Sequence, residues 1–252
     1  MANSKTSQTL LIGIDDTDNL ESRGTGFHAR HIGEAVEAHN WGSCRVISRH
    51  QLLKSPLVPF TSHNSAACIR VEIPASNLAT IENYCVEYLR TNSAEGSDAG
   101  LCLVWQAQAA LAIQQFGFVC KHQLVSQQAA WALAKQHEIK LFGLTGTQDG
   151  VIGALAAAGL NASGSDGRML WLAGMRELAG QTVSLESLLA QTGIELVQSL
   201  QGQVLTDPTN MIAMGPWPRG IWLGGKATLL VEPNTENADG WQVAAKDYLR
   251  QF

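Results

Sequence analysis

Asp15, Asp16 and Asp18 stand within four positions of one another and directly follow the apolar run Thr9-Leu-Leu-Ile-Gly-Ile14. They are three of only nine aspartates in 252 residues, so their clustering asks for a cause. Adjacent carboxylates repel one another unless a cation neutralises them. A hard divalent ion, Mg2+ by preference, takes oxygen ligands and bridges substrate phosphates. The three acids are therefore expected to hold Mg2+ and to serve phosphoryl transfer. The competing structural reading is an acidic turn in which Asp18 caps a short helix.

The segment that follows is rich in cations: Arg23, Arg30, Arg45, Arg49 and Lys54, with His28, His31 and His50. Guanidinium groups fork onto phosphate oxygens and offset the charge that spreads in phosphoryl transfer. Arg23 and Arg30, with Thr17, Gly24 and Thr25, are expected near the phosphates, although a solvated basic face gives the same composition. His28 and His31 are three apart on an expected helix, where they either face a cleft as a metal pair or lie on the surface.

A second loop, Thr145-Gly-Thr-Gln-Asp-Gly150, precedes an Ala-rich helix and offers backbone N–H groups at a helix start. Gly146, Thr147 and Gly150 are the expected phosphate contacts there. The loop lacks the GxxxxGK[ST] pattern, and no GxGxxG follows the first strand, so neither a P-loop nor a Rossmann dinucleotide site is supported. Ser55 to Ala67, with His63 and Asn64, reads as a substrate lid. Trp217 and Trp222 read as core or subunit-interface residues rather than base-stacking platforms.

The elements that must position these residues alternate between strand and helix. Strands are expected at 9–14, 45–53, 66–73, 101–105, 118–125 and 139–142. Helices are expected at 27–39, 107–116, 127–137 with Ser126 as cap, and 151–160, with another from an Asn77 cap to about residue 90. The polar break Glu95-Gly-Ser-Asp-Ala-Gly100 is a candidate seam between subdomains. The fold class is α/β: two packed α/β subdomains with mixed sheets and antiparallel strands at the C-terminus. The division is expected at about residue 200, with 9–200 as the ATP- and Mg-binding domain and 201–252 as a β-rich extension. The strand-loop-helix around Asp15 has an echo around Gly143 to Leu160, which would let two helix N-termini face one polyphosphate.

Composition narrows the classes further. With 17 Lys+Arg against 22 Asp+Glu, the net charge of −5 leaves no uniformly basic surface for counterion release, so any nucleic-acid contact has to be local. Five dispersed cysteines form no CxxC pair, which argues against a zinc ribbon or a disulfide framework. Neither a signal peptide nor a membrane-spanning run is expected, and a cytoplasmic location follows.

Two motifs carry a family resemblance. Ile12-Gly-Ile-Asp-Asp-Thr-Asp18 and Asp149-Gly-Val-Ile-Gly-Ala-Leu-Ala-Ala157 resemble, in order, the acidic motif and helix start of the kinase-type domain of archaeal tRNA-Ile 2-agmatinylcytidine synthetase. The resemblance implies that Asp15, Asp16 and Asp18 hold Mg2+ and ATP and that Gly150 lies near the nucleotide. In that family the domain cleaves ATP in activating a tRNA cytidine for agmatine attack. Here Gly24-Thr-Gly-Phe-His-Ala-Arg30 stands in place of the family's glycine-, cysteine- and threonine-rich stretch, and neither an OB-fold nor a zinc ribbon is expected after residue 200. The expectation is a stand-alone, Mg2+-dependent, ATP-using phosphotransferase with an acceptor that is a small molecule or an RNA nucleotide. The rivals are a non-catalytic nucleotide- or partner-binding module, dimeric through its apolar C-terminal strands, and a haloacid-dehalogenase-like phosphatase using Asp16 and Asp18.

Overall fold

Leu10 to Ile14 are buried on both sides because they form the centre of β1 (Ser7–Asp15), a strand with a neighbour on each edge and helices over its faces. The computed structural model describes residues 7–58, 64–234 and 240–252, and it divides into one unit ending at Ser163 and a second beginning at Gly164. The expected seam near 95–100 and the expected division at 200 both fall inside units rather than between them.

The first unit continues with α1 (Thr25–Ala38), β2 (Ser43–Gln51), β3 (Ser65–Pro74), α2 (Leu78–Asn92), β4 (Gly100–Trp105), α3 (Leu111–His122), α4 (Gln127–Gln136), β5 (Lys140–Gly143) and α5 (Gly150–Ser163). Its strand order is β5-β4-β1-β3-β2, and each neighbouring pair is antiparallel. Successive side chains on a strand point to opposite faces. Leu11 joins the cluster built on α5 and α3, and a β-carbon on Gly13 would collide with the Ala154 carbonyl of α5. Ile12 points the other way: it is in register with Ile69, Ile69 with Ile47, and Ile47 packs against Gly33 of α1. The sheet is thus a middle layer with α5 on one side and α1 on the other.

The second unit holds β6 (Arg168–Leu172), β7 (Thr182–Ser184), α6 (Leu185–Gln191), β8 (Leu196–Ser199), β9 (Met211–Ala213), β10 (Ile221–Leu223), β11 (Lys226–Pro233), β12 (Trp241–Val243) and α7 (Lys246–Leu249). Its order is β6-β10-β11-β12-β9-β7, with β8 also pairing with β11. The β8–β11 and β12–β9 pairs are parallel and the others antiparallel, so the mixed pairing of this α/β protein lies here. Gly224 and Gly225 both have positive φ and close the two-residue β10–β11 hairpin.

Three local expectations change. Residues 118–125 are not a strand: α3 begins at Leu111, later than the helix expected from 107, and runs on to His122. Its exposed Phe118 and Val119 mimic strand alternation, while Ile113, Phe116, Gly117 and Cys120 form the buried helical stripe. Asn77 precedes α2 without capping it, because its amide Nδ2 donates to the Trp41 carbonyl instead. Ser126 does cap α4, accepting from the Ala129 N–H. All five cysteines are buried free thiols. Among the described residues, no helix is long and apolar enough to cross a membrane.

Candidate active site

Position 153 must be glycine for the site to exist in this form. A β-carbon there would collide with the Asp15 carboxylate, and one on Gly150 would press on the backbone of Asp98 and Gly100. The glycines of the Gly150-Val-Ile-Gly153 segment therefore let the start of α5 lie directly on the ends of β1 and β4. That close approach opens a cleft of about 260 Å³, lined only by residues of the first unit.

The cleft has two kinds of wall. Asp15, Asp16, Asp18, Asp98 and Asp149 line one part; Leu52, Leu53, Leu57, Val58, Leu124 and Val125 supply much of the apolar part. Asn64 and Ser65, at the entry to β3, also line it, and with Leu57 and Val58 they place some of the expected lid at the cleft; His63 lies outside the described residues. No lysine or arginine is among the described lining residues.

The chain turns sharply where the acids begin. Asp16 has a φ of 52°, a left-handed conformation that aspartate tolerates better than most residues. Burial pushes the Asp15 carboxyl up to about 8, and the neighbouring Asp16 charge adds to this while the Asp16 N–H partly offsets it. Burial also raises Asp16, to about 6, helped by the charges of Asp98, Asp18 and Asp149 and opposed by the Asp98 N–H. Both shifts report a site in which negative charge is costly and a cation is wanted.

Asp18 has a second duty. Its Oδ1 accepts from the Thr25 hydroxyl at 2.9 Å and the Thr25 N–H at 3.3 Å, and the buried Thr17 hydroxyl donates to Thr25 Oγ1 at 3.0 Å. Asp18 thus ties the acid loop to the first residue of α1, whose N-cap position is Gly24, and it still lines the cleft.

Asp98 and Asp149 are the residues that sequence reasoning did not assign. The Asp98 carboxylate accepts from the Thr147 N–H, and its carbonyl accepts from the Gly150 N–H at 2.9 Å. Asp149 accepts from Gln127 Nε2 at 2.6 Å and from the Thr147 hydroxyl at 3.2 Å. The N–H groups of Val151 and Ile152 reach back to the Gln148 and Asp149 carbonyls. Much of the expected phosphate cradle is therefore engaged within its own loop. Gly146 and Thr147 are exposed and outside the lining, whereas Gly150 lines the cleft.

The expected cations are elsewhere. Arg23 is exposed, with its guanidinium 4.5 Å from the centre of the Phe27 ring, and neither it nor Arg30, Gly24 or Thr17 lines the cleft, whereas Thr25 does. His28 Nδ1 is 3.1 Å from the Tyr88 hydroxyl, and His31 stacks on the Tyr88 ring at 4.5 Å, so the pair packs on α2. His50 is buried with Nε2 2.7 Å from Ser48 Oγ.

The donor set fits Mg2+ by chemistry, since it consists of hard carboxylate oxygens. Among the described residues, no three His, Cys, Asp or Glu side chains are disposed to hold a metal by themselves. That is also how Mg2+ is commonly bound: by one or two carboxylates, with phosphates and water completing its shell.

No family model matches the chain. It is similar to an uncharacterized protein of Methanocaldococcus jannaschii, 24% identical over 156 residues that make up 61% of this chain and 50% of that one. Among solved structures it is similar to TiaS, an agmatidine synthetase acting on an isoleucine tRNA, in its complex with that tRNA and ATP, at 24% identity and a TM-score of 0.54 over 60% of this chain and 36% of that one. It is similar to apo TiaS at 21% and 0.53, over 60% and 35% of the two chains. The TiaS complex with the tRNA, AMPCPP and agmatine matches at 22% and 0.52, over 60% and 36%. The chain thus spans half the length of the curated relative and about a third of the solved ones. Over three fifths of its length, the chain has the fold of part of TiaS, the family that its Ile12 to Asp18 and Asp149 to Ala157 segments resemble.

Proposed function

We propose that the cleft binds ATP through Mg2+ and that the protein is a Mg2+-dependent, ATP-using phosphotransferase whose acceptor is a small molecule or an RNA nucleotide. The observation that carries this reading is the convergence of five aspartates on a cleft with no described lysine or arginine in its lining. A polyphosphate can approach such a wall only with a cation between. The apolar wall suits a nucleobase, and TiaS structures with ATP and AMPCPP lend support to the nucleotide.

One or two of Asp15, Asp16 and Asp18 would hold the ion, with phosphate oxygens and water completing its shell and Asp98 and Asp149 lining the same cleft. Mg2+, when bound, neutralises phosphate charge and polarises the transferred group. Asp16 is mostly ionised at neutral pH and could accept the proton of an acceptor hydroxyl. Asp18 keeps Oδ1 on Thr25, so it ties the acid loop to α1.

One observation favours a second reading. Phosphoryl transfer ordinarily uses lysine or arginine to offset transition-state charge, and the described lining holds neither. A module that binds Mg·ATP without turning it over needs no such group. The phosphatase reading has no comparable support, because β1 is antiparallel to both of its neighbours rather than part of a doubly wound parallel sheet.

The test is a titration with ATP, followed by calorimetry and thermal shift, with and without Mg2+, on the wild type and Asp16→Ala. Binding that needs Mg2+ and falls at least tenfold in Asp16→Ala supports the site. Binding indifferent to both overturns it. Radiolabelled γ-phosphate then separates turnover from binding alone.

A further inference from the structure

Four described residues with a neutral hydroxyl or amide side chain line the acidic cleft: Thr25, Asn64, Ser65 and Gln123. Three of them are tied to the protein. The Thr25 hydroxyl donates to Asp18, Asn64 Nδ2 donates to the Leu53 carbonyl at 2.8 Å, and Ser65 Oγ accepts from Arg49 Nε at 2.8 Å. The Gln123 side chain has no hydrogen-bond partner among the described residues and is exposed, so both its donor and its acceptor are open to a ligand.

The backbone fixes where that amide stands. Gln123 ends α3 in an extended conformation, φ −136° and ψ 154°, with its N–H on the Val119 carbonyl at 2.9 Å. Leu124 and Val125 follow it into the apolar part of the lining. The Leu53 N–H donates to the Cys120 carbonyl at 3.0 Å, which ties the end of α3 to the segment that carries Leu52, Leu53, Leu57 and Val58. Leu57 is 73% exposed and Leu124 55% exposed, so each segment leaves apolar surface in the cleft for a ligand to cover. An apolar wall with a single uncommitted amide is the usual make-up of a site that grips a ring by its faces and selects it by its edge.

An amide carries a donor and an acceptor side by side. Adenine presents their complement along one edge, the 6-amino donor beside the N7 acceptor, whereas guanine presents two acceptors there, O6 and N7. Resting on the reading of the cleft as a Mg·ATP site, we propose that Gln123 selects the base: its amide bonds the 6-amino group and N7 of adenine while the ring lies on the apolar wall, and the site takes ATP in preference to GTP. The leucines grip either purine, so the discrimination falls to the amide, whose oxygen would face an acceptor of guanine and lose its bond.

The experiment is a calorimetric titration of the full chain with ATP and with GTP, in Mg2+, on the wild type, Gln123→Leu and Gln123→Glu. A bidentate contact between an amide and a base discriminates by about tenfold or more, so the wild type is expected to bind ATP about tenfold tighter than GTP. Gln123→Leu is expected to bring the two affinities within about threefold of each other, by loss of the same contact, while binding still requires Mg2+. Gln123→Glu offers only acceptors, which suit the N1–H and 2-amino donors of guanine, and its preference is expected to turn to GTP. The substituted position is exposed and extended, so melting temperatures should stay at the wild-type value, and the ratio of the two affinities is independent of the fraction folded. Equal wild-type affinities for ATP and GTP, an unchanged ratio in Gln123→Leu, or an unchanged preference in Gln123→Glu overturns the role of Gln123 and leaves the Mg·ATP reading standing. If the wild type binds neither nucleotide in Mg2+, both are overturned.

Discussion

The Asp15 carboxylate occupies the space that a β-carbon at position 153 would need. One residue ends β1 and the other lies in the first turn of α5, so the acid motif and the glycine-bearing helix start are two halves of one contact.

Gly153→Ala should therefore push Asp15 out of place. Alanine favours a helix over glycine by about 1 kcal/mol, but overpacking costs about 1–3 kcal/mol, and the Asp15 Cβ as well as its tip stands in the way. The expected outcome is a lower urea midpoint together with weakened Mg·ATP binding. A variant as stable as the wild type that binds Mg·ATP equally well would show that the contact is slack.

Asp15 also ties stability to pH. Its folded value of about 8 stands above its ordinary 3.8. A group whose folded pKa is raised stabilises the protein most below the unfolded value, and that contribution is lost as pH rises through the folded one. Wild-type stability in EDTA should accordingly fall between about pH 4 and pH 8. Asp15→Asn cannot ionise and should flatten that fall, raising the melting temperature by several degrees at pH 8 while lowering Mg·ATP affinity. Melting curves across this range decide it; an unchanged profile would mean that Asp15 ionises freely.

The two motifs were legible because each is a local signature: a short apolar run ending in acids, and glycines at a helix start. The separation of the arginines from the cleft was not legible. Composition counted Arg23 and Arg30 near the acids, but Arg23 turns to Phe27 and neither enters the lining. Asp98 and Asp149 were missed for the opposite reason, since only the close packing of Gly100 on Gly150 brings their loops to Asp15. A usable signal was present: an aspartate two residues before a strand-starting glycine, and another at a helix start. The strand expected over 118–125 failed because α3 carries apolar residues on its exposed side too, which blurs a period of 3.6 into alternation.

Asp18 and Asp16 should separate in their effects. Thr25→Val removes the side-chain hydrogen bonds that link Thr17, Thr25 and Asp18 but keeps the Thr25 N–H on Asp18, and losing such part-buried hydrogen bonds costs about 1–2 kcal/mol. Asp18→Ala is expected to lower stability by a similar amount and to reduce Mg·ATP affinity less than Asp16→Ala does. Denaturation midpoints and calorimetry on the three variants check this. If Asp18→Ala leaves stability unchanged, the bond to Thr25 is not holding α1.

Asp98 joins charge and architecture in one side chain, and two substitutions pull them apart. Its carboxylate holds the Thr147 N–H and, as a charge, helps raise the pKa of Asp16. Asp98→Asn keeps an acceptor for Thr147 and removes the charge, so the Asp16 pKa should fall while stability changes little. Asp98→Ala removes both, leaves the Thr147 N–H without its acceptor, and should cost a further ~1–2 kcal/mol. Both should weaken Mg2+ binding in the presence of ATP, because one of the five cleft carboxylates is gone. NMR titration of Asp16, urea midpoints and Mg2+ titrations give the three readouts. Equal stability of the two variants would show that the Thr147 contact contributes nothing, and an unmoved Asp16 would show that the Asp98 charge is screened from it.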